Sequence, residues 1–280
     1  MKTRILTAVV ALPVLIGAIV LPLYYPQLVW VFIAIGAFGL GAALFEFFSL
    51  TKKLQLKADA AIAYLASGAF FVGFVFDAPT KAPDLLLATI GLVIIATLVS
   101  QTFRFQKDFS KLLTGVGVTL LGVFYIAFLG GFLVAIRTGF ENAPGLSTHL
   151  LGYFFLVLFG SDAGAYFAGR ALGKHKLAPA ISPGKTVEGL IGGIAAAGGL
   201  GALATWTFFP ELPYVWSVSM ACVLASAGVL GDLFESAIKR GAGAKDAATI
   251  LPGHGGFLDR LDSLLFGAPI LYYFARFYFY

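Results

Sequence analysis

Stretches of about twenty apolar residues recur along this 280-residue chain. Each is long enough to cross the roughly 30 Å hydrocarbon core of a membrane, and inside that core a single segment can satisfy its backbone polar groups only as a helix. Charged residues make up 12% of the chain, whereas about 25% is typical of soluble domains. The sequence therefore predicts an all-α fold, a polytopic transmembrane helical bundle.

Polar clusters separate the apolar stretches and predict nine spans. These are residues 5–24, 28–49, 58–76, 84–103, 112–136, 149–169, 188–208, 214–234 and 263–280. All lysines and arginines except Lys81, Arg137 and Arg276 fall on one set of alternate loops. Because basic loops stay in the cytoplasm, we expect a cytoplasmic N-terminus and two long cytoplasmic segments, 170–187 and 235–262.

Acidic residues cluster where the last two spans meet the cytoplasm. Asp232 lies near the inner end of the eighth span, and Asp259 and Asp262 open the ninth on one helical face. A carboxylate at this depth is unfavourable unless it is paired, protonated or bound to a cation. Since Mg²⁺ prefers oxygen ligands, we predict that Asp232 and Asp259 bind it. The alternative is ordinary acidic residues stabilised by a helix dipole.

The same segment is rich in basic residues and glycines. Lys239, Arg240, Lys245 and Arg260 can neutralise charge during phosphoryl transfer, and glycines allow a backbone to approach phosphate oxygens closely. Attraction of anionic lipid headgroups is the alternative role for these cations. Glu235 lies four residues before Lys239, which is the spacing of a helix-surface ion pair.

The sequence Ser182-Pro-Gly-Lys-Thr-Val-Glu-Gly precedes the seventh span. Position 179 is proline where a P-loop requires glycine, and no strand is expected before the motif, so we reject a P-loop. We predict instead a turn at a helix N-terminus that binds an anion, with Ser182, Lys185, Thr186 and Glu188 at the substrate. The alternative is a plain N-cap by Ser182 or Thr186.

Three further features are less specific. Asp162 lies inside the sixth span and needs a partner, either Arg170 two turns away or a substrate. Glu46, near the end of the second span, is interpreted as a structural partner of Lys52 or Lys53. Small residues recur every fourth position from 189 to 201, a spacing that permits close helix packing within or between chains.

The segment from Ser236 to Asp262 resembles the sequence motif of phosphatidate cytidylyltransferases, the CDP-diacylglycerol synthases. The matching residues are Ser236, Ile238, Lys239-Arg240, Lys245-Asp246, Leu251-Pro-Gly-His-Gly-Gly-Phe, Asp259-Arg-Leu and Asp262. The Ser-Pro-Gly-Lys-Thr segment and residues 161–174 are similar to that family as well. The first five spans match the family only in being hydrophobic.

The resemblance implies that CTP and phosphatidic acid give CDP-diacylglycerol and pyrophosphate, with Mg²⁺ and a potassium ion as cofactors. It implies catalytic roles for Asp232, Asp259, Lys239, Arg240 and Lys245. It implies substrate contacts for Ser182, Lys185, Thr186, Glu188, Asp162, Asp246, His254, Arg260 and Asp262. A homodimer in the bacterial-type cytoplasmic (inner) membrane, with its active site facing the cytoplasm, is expected; nucleic acid is not expected as a partner.

We accordingly divide the chain into three regions. Residues 1–111 are N-terminal transmembrane helices, 112–187 are middle helices with the phosphate-binding turn, and 188–280 are catalytic helices with the motif-bearing loop. Two other functions fit the intramembrane charges: a transporter of a phosphorylated metabolite, and a related lipid-phosphate nucleotidyltransferase or polyprenol kinase.

Overall fold

The computed structural model describes residues 2–76, 84–104, 109–140, 143, 145–244 and 255–280. Within these ranges the chain forms long helices that follow one another through short connections. They are α1 (Lys2–Val20), α2 (Val29–Lys53), α3 (Ala60–Phe76), α4 (Asp84–Arg104), α5 (Leu112–Gly122), α6 (Leu129–Thr138), α7 (Leu146–Leu172), α8 (Val187–Thr207), α9 (Tyr214–Gly241) and α10 (Leu258–Phe279).

The predicted helical bundle is confirmed. A π-helical segment, Val123–Phe128, joins α5 to α6 without a break, so each of the nine predicted spans corresponds to one continuous helical segment of the described chain. Six of these segments are long and apolar enough to cross a membrane on length and composition. The apolar helices at Val9–Leu23 and Ala60–Phe76 are shorter.

Two span boundaries near the acidic cluster differ from the prediction. Helix α9 continues to Gly241 instead of ending near residue 234, and α10 begins at Leu258 instead of residue 263. Residues 235–241 continue the helix because Ala237 and Ile238 extend the helical apolar pattern. Lys239 and Arg240 also occupy its last turn, where positive charge is favourable. The predicted cytoplasmic loop 235–262 therefore begins with the last residues of α9 and ends with the first residues of α10.

The small residues of α8 pack against α7 and α9 of the same chain, so the close helix packing that their spacing predicted occurs within the chain. A Cβ built on Gly193 would lie 3.0 Å from the Ser161 carbonyl oxygen, and one on Gly201 would lie 2.9 Å from the Ser217 carbonyl oxygen. Only glycine allows these backbones to come so close. This tight α7–α8–α9 unit fixes the helix ends that carry the acidic cluster.

The Ser-Pro-Gly-Lys-Thr segment is a β-strand, so the predicted turn is wrong. Strand β1 (Lys176–Ala178) pairs antiparallel with strand β2 (Ser182–Thr186). The pairing supplies backbone hydrogen bonds that an isolated turn outside the helices would lack. This two-stranded hairpin joins α7 to α8.

Candidate active site

A pocket of about 400 Å³ lies where the β hairpin meets α7, α8 and α9. Its wall combines charged residues with apolar ones. The lining residues are Asp162, Ala165, Tyr166, Gly169, Arg170, Leu177, Gly184, Lys185, Thr186, Gly189, Leu190, Val229 and Asp232. Three residues singled out from the sequence, Asp162, Lys185 and Asp232, therefore face one space although they lie far apart in the chain.

Lys185 and Asp232 form an ion pair across this pocket. The Lys185 Nζ atom lies 2.7 Å from Asp232 Oδ2, and the Ser236 hydroxyl donates to Asp232 Oδ1 at 3.1 Å. Both charged side chains remain partly exposed to the pocket. The hairpin thus presents a cation, and α9 a carboxylate, at the same solvent-accessible point.

Thr186 and Glu188 are occupied by local contacts. The Thr186 hydroxyl accepts a hydrogen bond from the Gly189 N–H at 3.1 Å, so it is the N-cap of α8, one of the two alternatives considered for this motif. Glu188 accepts from the Lys174 N–H at 3.0 Å and lies 2.6 Å from His175 Nδ1. These contacts fix the hairpin on α8; a substrate role for either residue stays a prediction.

A second cluster lies beside the first and is much more buried. The Lys239 Nζ atom lies 2.5 Å from Glu235 Oε2 and 2.6 Å from Asp259 Oδ1, so one ammonium group joins α9 to α10. Glu235 is fully buried. The Glu235–Lys239 pair is therefore not the helix-surface pair predicted from its spacing, because α10 packs over it.

Asp259 also fixes the start of its own helix. Its Oδ2 atom accepts a hydrogen bond from the Gly256 N–H at 2.7 Å. Gly255, just before, has φ +80°, and a Cβ there would lie 2.8 Å from Asp259 Oδ2. A glycine is required at this position by both the backbone conformation and the space.

Asp162 and Asp262 complete the acidic side of the site. Asp162 was expected to be buried in its span, but its side chain is exposed at the pocket, within electrostatic range of Asp232, Lys185 and Arg260. Asp262 is buried, and its Oδ1 atom accepts from the Ser263 N–H at 2.6 Å. Asp262 interacts electrostatically with both Asp162 and Asp232, so three helices bring negative charge together.

The ion pair between Arg170 and Asp162, one of the two alternatives considered for Asp162, is not formed in the described structure, and Arg240 contacts the hairpin. Arg170 donates to the Tyr166 hydroxyl at 3.0 Å; no contact joins it to Asp162 within the described part of the chain. Arg240 donates through Nε to the Ile181 carbonyl at 3.1 Å. Arg240 thereby holds the end of α9 against the hairpin, while its exposed guanidinium face remains accessible.

Glu46 is a site residue that the sequence interpretation assigned to the wrong partner. It is fully buried, and its two carboxylate oxygens accept from the Phe257 N–H at 2.9 Å and the Leu258 N–H at 2.8 Å. Lys52 and Lys53 are not its partners; Glu46 caps α10 instead. A Cβ on Gly256 would lie 2.3 Å from Glu46 Oε2, so this glycine makes room for the carboxylate.

Tyr125 was not selected from the sequence, where it is one aromatic residue in an apolar span. It lies on the π-helical segment, and such segments are frequent at functional sites. Its buried hydroxyl has no hydrogen-bond partner among the described residues. It is within electrostatic range of Asp262, Glu235 and Asp232, so it lies beside the acidic cluster.

The oxygen ligands at this site suit Mg²⁺, although no three acidic, histidine or cysteine side chains of the described chain are grouped closely enough to bind one ion. Magnesium needs only one or two carboxylates when substrate phosphates and water complete its coordination. Asp232, with the Ser236 hydroxyl beside it, and Asp259 are oxygen donors of that kind. The donor chemistry therefore fits the predicted ion.

Three residues named from the sequence, Lys245, Asp246 and His254, lie outside the described residues. Six of the other predicted residues fall into two groups. Lys185, Asp162, Asp232 and Thr186 line the pocket, whereas Lys239 and Asp259 belong to the buried cluster. Ser182 pairs with Ala178 at the far end of the hairpin and does not line the pocket.

Comparison with known proteins gives a consistent picture. The model of the Cytidylyltransferase family matches residues 2–278. A phosphatidate cytidylyltransferase of Bacillus subtilis is 36% identical over 279 residues, covering 98% of this chain and 97% of the relative. One of Staphylococcus saprophyticus is 35% identical over 277 residues, covering 97% of each, and one of Haemophilus influenzae is 40% identical over 159 residues, covering 55% of this chain and 54% of its own.

The family model and the two near full-length relatives also match the first five spans, where only hydrophobicity had suggested a relationship. They also extend through the hairpin, Asp232 and the α10 start that build the pocket and the buried cluster. The chain belongs to the cytidylyltransferase family.

Proposed function

We propose that this protein transfers the cytidylyl group of CTP to phosphatidic acid, giving CDP-diacylglycerol and pyrophosphate. The observation that carries the proposal is the pocket in which Lys185 of the hairpin meets Asp232 of α9. Its apolar side, with Leu190 and Val229, suits a lipid, and its charged side suits phosphate groups. Family membership and near full-length similarity to phosphatidate cytidylyltransferases support the same reaction.

In this reaction an oxygen of the lipid phosphate attacks the α-phosphorus of CTP. The bond from that phosphorus to the bridging oxygen breaks, and its electron pair leaves with pyrophosphate. The attacking phosphate is already ionised at neutral pH, so the step needs no strong base. Catalysis then depends on positioning the two reactants and stabilising the charge that develops.

The residues supply these functions in different ways. The Lys185 ammonium group is exposed to the pocket and binds a phosphate oxygen when substrate enters. Arg260 and Arg170 add exposed positive charge near the same space. The Lys239 ammonium group, held between Glu235 and Asp259, positions the Asp259 carboxylate. Lys245, Asp246 and His254 remain proposed contributors.

We include Mg²⁺ in the proposal, with Asp232 and Asp259 as its protein ligands. When bound, the ion supplies positive charge that neutralises the triphosphate. A potassium ion alongside it, a homodimer, and a cytoplasmic active site in the inner membrane belong to the same proposal. The basic loops at one end of the bundle support that orientation.

The test uses the purified protein with labelled CTP. Pyrophosphate and labelled CDP-diacylglycerol should form only when CTP, phosphatidic acid and Mg²⁺ are all present. Asp232→Asn and Asp259→Asn should each lower turnover by about a thousandfold while the protein still folds. Glu211→Gln is the control, because Glu211 pairs with His149 at the opposite end of α9.

Near-normal turnover in both aspartate variants would contradict the metal assignment. Counterflow of a phosphorylated metabolite in vesicles, without any covalent product, would favour a transporter. Competition experiments with other nucleotides and with polyprenol or archaeal lipids would identify a related lipid-phosphate enzyme.

A further inference from the structure

A second cavity, of about 340 Å³, lies between the end of α2, the α2–α3 loop and the end of α4. It shares no lining residue with the pocket of the candidate active site. Its walls are Phe48, Thr51, Lys52, Leu56, Lys57, Ala58, Ala60 and Arg104. It lies at the same end of the bundle as the acidic cluster, because Glu46 on α2 contacts the start of α10.

Positive charge dominates this cavity. Lys52, Lys57 and Arg104 all line it, and both lysines are exposed. Asp59 is an acidic neighbour of this cavity: its Oδ2 atom lies 3.8 Å from Arg104 Nη1, and its carboxylate accepts hydrogen bonds from the Ile62 N–H at 3.2 Å and from the Ser100 hydroxyl. Asp59 is therefore engaged by the protein and offsets only part of the positive charge.

The cavity walls are held in place by backbone contacts. The α2–α3 loop turns through Gln55, whose φ is +57°, and the Leu56 N–H donates to the Thr51 carbonyl at 3.0 Å. Arg104 Nη1 donates to the Ala58 carbonyl at 3.0 Å. These contacts define the cavity before any ligand binds, which lowers the entropic penalty of binding.

The three helices that contribute to the cavity also carry exposed apolar side chains. Phe45 on α2, Leu65 on α3 and Phe103 on α4 are each more than half exposed, as expected of residues that face lipid. A ligand here meets cations beside a hydrocarbon-facing surface. That combination fits an anionic headgroup attached to acyl chains, since basic groups near the membrane surface attract anionic lipids.

We propose that this cavity binds the phosphate headgroup of an anionic membrane phospholipid, separately from the substrate. Lys52, Lys57 and Arg104 contact the phosphate, and Phe48 and Leu56 contact the adjoining glycerol and upper chain. Because the same α2 helix carries Glu46, which caps α10, the bound lipid stabilises the helix that presents Asp259.

The experiment measures lipid binding in the absence of CTP. The full protein is placed in nanodiscs of neutral phosphatidylcholine, with or without phosphatidylglycerol, which is anionic but not a substrate. Lipids retained after extraction are counted by native mass spectrometry. We expect retained phosphatidylglycerol in the unsubstituted protein and about a tenfold weaker apparent affinity in Lys52→Gln/Lys57→Gln.

Lys53→Gln is the matched control, because it removes one exposed lysine from the same helix end without lining the cavity; it should retain the lipid. Equal retention by the double variant and the unsubstituted protein would overturn the proposal, as would equal loss in Lys53→Gln. Full competition by glycerol 3-phosphate would also overturn it, by indicating a soluble anion instead of a lipid. None of these outcomes depends on cytidylyl transfer.

Discussion

Two lysine–carboxylate clusters lie side by side in this protein and have opposite surroundings. In the Lys185–Asp232 pair the side chains are 23% and 34% exposed. In the Lys239 cluster the lysine is 12% exposed, Asp259 10% and Glu235 not at all. The two lysines therefore have different roles: Lys185 can exchange its partner for substrate, whereas Lys239 holds α9 and α10 together and positions the Asp259 carboxylate.

The energetics follow from exposure. An exposed ion pair contributes about 0–1 kcal/mol to stability because water already solvates its charges. A buried charge that loses its partner is destabilising by about 3–5 kcal/mol. Substituting the two lysines in the same way should therefore affect activity in one cluster and folding in the other.

The largest expected effect is on the stability of the buried cluster. Lys239→Met removes the only cation within contact of both Glu235 and Asp259 among the described residues, and should lower the free energy of unfolding by about 3–5 kcal/mol. Thermal unfolding of the variant and the unsubstituted protein in detergent measures this loss of stability. Glu235→Gln combined with Lys239→Met should restore part of the loss; a variant as stable as the unsubstituted protein would show that the cluster is not a structural centre.

The exposed pair should show the reverse behaviour. Lys185→Met should lower turnover about a hundredfold by removing a cation from the developing charge, with an unfolding free energy within about 1 kcal/mol of the unsubstituted protein. Steady-state kinetics and thermal unfolding on one preparation separate the two effects. Lys176→Met, on the other strand of the hairpin, is the control. A folding defect in Lys185→Met would contradict the proposed difference between the exposed pair and the buried cluster.

The smallest expected effect concerns Asp59, which is outside the helices. Partial burial alone would raise the pKa of Asp59, but hydrogen bonds from Ser100 and the Ile62 N–H and the charge of Arg104 outweigh it, so the pKa is lowered. Because its pKa is lowered on folding, Asp59 stabilises the folded state at pH values above its unfolded pKa of about 4. This stabilisation is lost as pH falls through the pKa of the folded state. Asp59→Asn should lower Tm on the order of 2–4 °C at neutral pH.

That difference in Tm should shrink as pH falls below about 4 and vanish only below the lowered pKa of folded Asp59, where the carboxylate is protonated in the folded state as well. A difference that persists in acid would mean that the aspartate acts through packing rather than charge.

The sequence was sufficient for the helical bundle and for most of the pocket. Twenty-residue apolar runs determine helix number, because a lipid environment allows few alternatives. The motif residues Asp162, Lys185 and Asp232 were selected by charge density in an apolar chain, and they do line one pocket. Asp162 and Asp232 are carboxylates whose presence in a membrane segment needs a reason, whereas Lys185 belongs to the Ser-Pro-Gly-Lys-Thr motif of a predicted cytoplasmic segment.

What could not be predicted depends on contacts between distant parts of the chain. The partner of Glu46 lies 211 residues away, and the nearby lysines offered a simpler local pairing. The hairpin was missed because five residues with one β-branched side chain give a weak strand signal. Whether Lys239 is exposed or buried depends on how α10 packs, which i,i+4 spacing cannot indicate.

The cap that Glu46 places on α10 has a consequence for biosynthesis. Helix α2 is synthesised well before α10. The N–H groups that donate to its Glu46 carboxylate belong to Phe257 and Leu258, which are translated 211 and 212 residues later. Throughout that interval the Glu46 carboxylate lacks its two native hydrogen-bond donors. The protein's assembly is complete only when its last helix reaches a side chain inserted near the beginning.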